Sequence, residues 1–220
     1  MNVLILHAHP EEKSFSSSLK NIAEDHFKQL GHNVVVKDLY KMNFNPVVSR
    51  ADFKSEVNSE YFQIMKEQMN AHVNKSFDDD LKAEMDALVW ADLVVLNFPL
   101  WWSSFPAILK GWFDRVIAFG FAYHPREMHY ETGAFKGKKA MCVVTAGGSQ
   151  QAYSEGGEHG DLNKILDHIY HGLFYYTGMT VLPPYYTWRT HLADQDTLKT
   201  YIEKYKEHLN NLDNFTPIYQ

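Results

Sequence analysis

Tyr153 and His159 lie six residues apart, between two glycine clusters: Thr145-Ala146-Gly147-Gly148-Ser149 before them and Gly156-Gly157-Glu158-His159-Gly160 around the histidine. A phenol donor and a titratable imidazole are the parts needed to stabilise negative charge developing on a bound ring. The glycines allow a backbone to approach a ligand closely. Either side chain alone is weak evidence, since a histidine at a helix start is commonly a structural hydrogen bonder. A second stretch, Asn97-Phe98-Pro99-Leu100-Trp101-Trp102-Ser103-Ser104-Phe105-Pro106, holds two adjacent tryptophans between prolines. Both indoles cannot turn into the core from a tight loop, so at least one is expected to line a flat-sided pocket. A core-packing loop is the plainer alternative. The third stretch is His7-Ala8-His9-Pro10-Glu11-Glu12-Lys13-Ser14-Phe15-Ser16-Ser17-Ser18. Hydroxyls and free N–H groups at a helix start suit an anion. An ordinary serine-rich cap reads equally well, and neither a Walker loop nor Gly-x-Gly-x-x-Gly is present.

These stretches follow short apolar runs. Val3–Leu6, Val34–Lys37, Leu93–Phe98, Ala140–Thr145 and Met179–Leu182 read as five strands buried on both faces, because they are continuous rather than alternating. Helical spacing separates them: Leu19, Ile22, Ala23, Phe27 and Leu30, stopped by Gly31; Leu81, Met85, Leu88 and Val89; then Leu162, Ile165, Leu166, Ile169 and Leu173, with Asp161 near the start; finally Leu198, Ile202, Tyr205, Leu209 and Leu212. Alternation of this kind predicts an α/β protein, a flavodoxin-like doubly wound five-stranded parallel sheet with helices on both faces. Its ligand would sit at the carboxyl ends of the strands. Leu39 to Asp92, 54 residues, is too long for one crossover helix and marks an insertion. Asp78-Asp79-Asp80 would place negative charge at the start of the helix that follows.

At 220 residues, with no repeat or low-complexity linker, one domain over 1–220 is expected. A formal charge of −6 argues against nucleic acid as the main partner. No apolar run is long enough to insert in a bilayer, and no leader precedes the first strand, so the chain reads as cytoplasmic. Cys142, the single cysteine, lies inside a strand and reads as a small buried hydrophobe. His7-x-His9 and His168-x-x-His171 lack a third partner, so no metal is expected.

Longer segments then resemble the NAD(P)H:quinone oxidoreductase (DT-diaphorase) family of flavodoxin-like flavoproteins. They are His9–Phe15, Asp38–Pro46, Phe98-Pro99-Leu100-x-Trp102, Pro106–Val116, Phe121-Ala122-Tyr123, Thr145-x-Gly147-Gly148 and Tyr153-Ser154-x-x-Gly157-x-His159-Gly160-Asp161-x-Asn163. They keep their order over roughly residues 3 to 190. The resemblance implies a tightly bound flavin, FAD in this family with FMN as the alternative. It also implies NAD(P)H as co-substrate and a homodimer with active sites at the subunit interface. By position, His9, Ser14, Phe15 and Ser16 would hold the pyrophosphate, and Gln63 would lie near the ribose or adenine. Pro99, Leu100, Trp101 and Trp102, with Thr145, Ala146, Gly147, Gly148 and Tyr153, would frame the isoalloxazine. Tyr153 and His159 match the catalytic pair. Trp102, Tyr123, His159 and, more loosely, Met179 would meet the aromatic acceptor, Tyr123 and Met179 from the second subunit.

The chain also departs from the animal enzymes. Trp101 and Ser103 stand where those have glutamine and phenylalanine, Ala146 replaces a threonine, and Pro125 replaces a second pocket tyrosine. The adenine-side arginine is unmatched, with Arg189 a possible substitute. The reaction implied is two-electron, ping-pong transfer from NAD(P)H through the flavin to a quinone. Azo or nitroaromatic acceptors would serve the same chemistry. A regulatory alternative is an ancillary subunit of a potassium efflux system, docking through the Ala51–Lys75 insertion.

Overall fold

The computed structural model describes residues 1–220. Six parallel strands form one sheet: β1 (Asn2–His7), β2 (Asn33–Asp38), β3 (Leu93–Pro99), β4 (Lys139–Ala146), β5 (Thr180–Val181) and β6 (Tyr185–Trp188). Their order is β2-β1-β3-β4-β5, with β6 also on β4. β5 and β6 are the two halves of one edge position. The pairing with β4 slips by one residue between Ala140↔Val181 and Val143↔Tyr185. Pro183-Pro184 falls in that gap, where neither residue has an N–H for the ladder. The apolar run predicts the first half; the second half, Tyr185–Trp188, is an addition to the five expected strands.

Apolar residues cover both faces of the sheet. On one, α1 (Phe15–Gln29) and α7 (Gln195–Asn210) bury Leu19, Phe27, Tyr205 and Leu209 against Ile5 and Val95. On the other lie α2 (Ile64–Asn74), α3 (Asp79–Trp90), α4 (Ala107–Val116) and the short α5 (Leu162–Ile165) and α6 (Asp167–Ile169). A π-helical turn, Tyr170–Tyr175, continues from α6, and together these elements bury Leu81, Trp112, Phe113 and Phe174. Asp78 caps α3 by accepting from the Asp80 N–H, and Asp161 caps α5 by accepting from Asn163.

The insertion between β2 and β3 is a built structure. Arg115 of α4 pairs with buried Asp52 at 2.9 Å and donates to the Asn45 carbonyl at 2.8 Å. Lys37 and the Trp112 indole N–H both reach Glu84, at 2.7 and 2.9 Å. A cavity of about 630 Å³ lies among these residues, walled in part by the Lys37–Glu84 and Arg115–Asp52 pairs beside Asp78 and Asp80.

Candidate functional site

In this strand order β1 and β3 are neighbours whose following connections diverge, and the crevice at their carboxyl ends is where an open α/β sheet binds ligands. His7 and Asn97 are register partners there. The structure makes His7, expected to open a loop, the last residue of β1, and places Asn97 inside β3 as the run Leu93–Phe98 predicts, each no more than 1% exposed.

The loop after β1 wraps into the first turn of α1. Ser14 is the N-cap, its hydroxyl accepting from the Ser17 N–H. His9 accepts the Glu11 N–H on Nδ1 at 3.0 Å, so its neutral ring carries its hydrogen on Nε2. Burial holds the His9 pKa below its ordinary value, which favours that neutral form. The Phe15 and Ser16 N–H groups precede the first intrahelical bond, made by Ser18, and have no acceptor in the protein. Ser16 is only 2% exposed and its hydroxyl turns inward to Asn97, so with that bond in place it offers an anion its N–H rather than its side chain. Gln63 is the N-cap residue of α2 without a side-chain cap bond. No hydrogen bond joins it to this loop.

After β3 the chain makes a two-residue turn. Trp101 and Ser104 exchange both backbone hydrogen bonds, at 2.9 and 3.0 Å, while Trp102 and Ser103 take φ of +49° and +59°. Glycine and asparagine normally fill such a turn, and each left-handed non-glycine residue costs about 1 kcal/mol or more. Strain of this kind clusters at ligand sites. Its result is a fully exposed Trp102 and a 40% exposed Trp101, whose ring lies 6.4 Å from that of His9. Pro99 is buried and Leu100 half-buried; Leu100 donates to the Thr145 carbonyl, joining this turn to β4. A largely apolar cleft of about 580 Å³ opens beside the indoles, walled by Tyr40, Phe105, His168 and Leu173. His168 donates from Nδ1 to the Ile165 carbonyl, so its Nε2 accepts from Ser104, which ties the turn to α6. Nothing in the residue pattern around His168 points to this role.

The loop after β4 carries the tyrosine and histidine. Their rings approach to 4.8 Å, and Tyr153 also stacks on Trp188 of β6 at 5.9 Å. Tyr153 is half-buried and its hydroxyl has no hydrogen-bond partner in the protein, while His159 is exposed. The loop bonds to itself through His159 N–H to the Ala152 carbonyl and Leu162 N–H to the Tyr153 carbonyl. Gly148 seats the Tyr153 ring: a Cβ there would sit 2.7 Å from Tyr153 Cε2, so the ring would have to shift. Gly147 faces open space, with nothing within 4 Å of a Cβ. Thr145 and Ala146 end β4, buried, and Ala146 accepts the Arg189 N–H.

One expected acceptor contact falls elsewhere, while the other, Tyr123, was expected from a second subunit and stands apart from this chain's own cleft. Met179 is 2% exposed in the core, so it is corrected from a ligand contact to a packing residue. Tyr123 joins Phe119 and Tyr176 in a separate aromatic group, none of whose members lines the tryptophan cleft. Trp188 is the residue the sequence reading missed, because its strand lies beyond the two prolines.

The site thus combines unbonded N–H groups at a helix start, two open indoles and a glycine-seated tyrosine. Residues 1–209 match the family described as having a flavodoxin-like fold. The chain is 41% identical over 217 residues to NAD(P)H dehydrogenase [quinone] 1 of Rattus norvegicus, covering 98% of this chain and 79% of that protein. It belongs to the NAD(P)H:quinone oxidoreductase family. Ribosyldihydronicotinamide dehydrogenase [quinone] of Homo sapiens is 37% identical, over 98% of this chain and 94% of its own. A solved structure from Klebsiella pneumoniae superposes with a TM-score of 0.94 at 39% identity, covering 99% of this chain and 87% of that one. No helix is long and apolar enough to cross a membrane.

Proposed function

We propose that this member of the family is a flavin-dependent oxidoreductase that takes electrons from NAD(P)H and reduces quinones. The observation that carries the reading is that the Tyr153–His159 pair, the open indoles and the free helix-start N–H groups all follow the carboxyl ends of neighbouring strands β1, β3 and β4. These residues suit a flavin. The N–H groups of Phe15 and Ser16, the Ser14 cap and the His9 Nε2–H would hold its phosphate. Trp101, Trp102, Pro99 and Leu100 would frame the ring on one side; Thr145, Ala146, Gly147 and Gly148 would frame it on the other.

A bound flavin supplies the two-electron chemistry. Tyr153 offers an unpartnered hydroxyl to an oxygen of the ring, where it stabilises negative charge. His159, packed against the Tyr153 ring, holds a proton close to that charge. Nicotinamide and quinone share the flat slot beside Trp102, so one leaves before the other enters, giving ping-pong kinetics.

We take the flavin to be FAD, with Gln63 on its ribose–adenine side, and the enzyme to be a single-domain cytoplasmic homodimer. Supporting the dimer, Val57, Tyr61, Met65 and Val73 of the insertion stand 47–67% exposed, and Tyr123 has its ring partners outside the cleft. A second copy covering that apolar face would bring Tyr123 to the partner's acceptor slot.

The test is acceptor profiling of reconstituted protein, with the flavin released and weighed. Parallel double-reciprocal lines with a quinone, and FAD by mass, are expected. FMN by mass would overturn the choice of FAD. Azo or nitro compounds outrunning every quinone would move the acceptor class.

A further inference from the structure

His7 is buried at the switch point between β1 and β3, and its bonding can be solved by counting hydrogens. Ser17 Oγ lies 2.8 Å from the Glu11 carbonyl, a pure acceptor, and gives its one hydrogen there. Ser17 must then accept from its other two neighbours, Ser14 Oγ at 3.0 Å and His7 Nε2 at 3.0 Å. Nε2 of His7 therefore carries a hydrogen. On the far side of the ring, Nδ1 lies 2.7 Å from Asn97 Oδ1, which also receives the Ser16 hydroxyl at 3.2 Å. With that amide orientation His7 would need hydrogens on both nitrogens, and Asn97 Nδ2 is left buried with no partner.

Turning the Asn97 amide over removes both difficulties. Nδ2 then donates to Nδ1 of a neutral His7 and to Ser16 Oγ, and the unpaired end becomes a carbonyl, the cheaper group to leave unbonded. Burial, which lowers the proton affinity of His7, points the same way. In this arrangement Ser16 is an acceptor toward Asn97, and its own hydrogen has no acceptor in the protein. The same residue carries one of the two unbonded N–H groups of the helix start, those of Phe15 and Ser16.

We propose that His7, fixed as the neutral Nε2–H tautomer, is a positioning residue that turns Asn97 N-first and so frees the Ser16 hydroxyl to donate to a phosphate oxygen of the bound flavin. The proposal rests on the flavin reading above and adds what sets the polarity of the phosphate seat. His7 touches neither flavin nor substrate; it acts through Asn97 and, through Ser17, on the loop carbonyl of Glu11.

Nitrogen-15 correlation spectra of the apoprotein imidazoles at pH 7 read the tautomer directly, with His7 assigned by its loss in His7→Gln. A pyrrole-type Nε2 and a pyridine-type Nδ1 are expected; an Nδ1–H tautomer or an imidazolium overturns the proposal. Affinities for FAD and FMN supply the second arm. Loss of one charge-assisted donor in Ser16→Ala should weaken binding roughly tenfold. His7→Leu should do the same, and His7→Gln, whose amide both accepts and donates, should recover most of it. Ser16→Ala binding as tightly as the parent overturns the donor role even if the tautomer is as expected. Failure of the parent to take up either flavin removes the flavin reading, and this inference with it.

Discussion

Substituting alanine for Gly148 tests the catalytic geometry with a single methyl group. The new Cβ would lie 2.7 Å from Tyr153 Cε2, 3.2 Å from Cδ2 and 3.7 Å from His159 Cδ2. Carbon atoms rest at about 3.5–4.0 Å, so the Tyr153 ring must retreat by about 1 Å. That ring also stacks on Trp188, centroids 5.9 Å apart, a contact the shift would disturb. Gly148 is not in the left-handed region, so the cost falls on Tyr153 rather than on the backbone. A displacement of about 1 Å in a group that must meet a developing charge costs on the order of 10²-fold in rate. The assay is stopped-flow bleaching of bound flavin by NADH or NADPH without oxygen. Flavin should still bind, with its reduction about 100-fold slower. Gly147→Ala is the contrasting variant: its methyl meets no protein atom but enters the space a ring would use, so it should weaken flavin binding more than it slows reduction. Parental reduction rates in Gly148→Ala would refute the role given to Tyr153.

Tyr153→Phe removes a hydroxyl with no protein partner, so melting should be unchanged while flavin reduction slows by about 10- to 100-fold. Trp102→Ala deletes a fully exposed side chain; stability should stay within about 0.5 kcal/mol while KM for quinone rises, as initial rates and thermal melts would show. Asp52→Asn leaves the buried Arg115 without its countercharge, which should cost about 3–5 kcal/mol and lower Tm by about 10 °C in calorimetry. Burial holds the pKa values of His7 and His208 below the ordinary 6.5. Around His7, Asp38 pulls upward while Lys20 and His9 push down. The unfolded chain then binds more protons than the folded one as pH falls below 6.5, so their contribution is full above that pH and is lost as pH falls through the lower folded values. Urea titrations at pH 7.5, 6 and 5 should show the decline, and equal midpoints would contradict it.

Strands buried on both faces announce themselves as apolar runs, which is why β1, β3, β4 and the first half of one edge strand were legible; β2 was found by its run of valines, but at the other edge it is only half-buried rather than buried on both faces. Tyr185–Trp188 was not, because its alternating burial follows two prolines and its pairing depends on a register slip that no local pattern encodes. The stacking of Tyr153 on Trp188 was hidden for the same reason. Residues with unusual chemistry for their place, Tyr153, His159 and the paired tryptophans, could be named from type and spacing. His7, Asn97 and Ser17 could not, since hydrogen-bond direction among polar side chains is set by three segments meeting in space. The burial of Met179 likewise depends on tertiary packing rather than on its neighbours in the chain.

The most direct measurement is the visible spectrum of the flavin-loaded protein under anaerobic conditions, before and after NADH or NADPH and then after a quinone. The account predicts a flavin band that bleaches with a nicotinamide cofactor and returns in full when quinone is added. Protein that stays colourless after flavin is supplied, or a bound flavin that neither nucleotide bleaches, would contradict it.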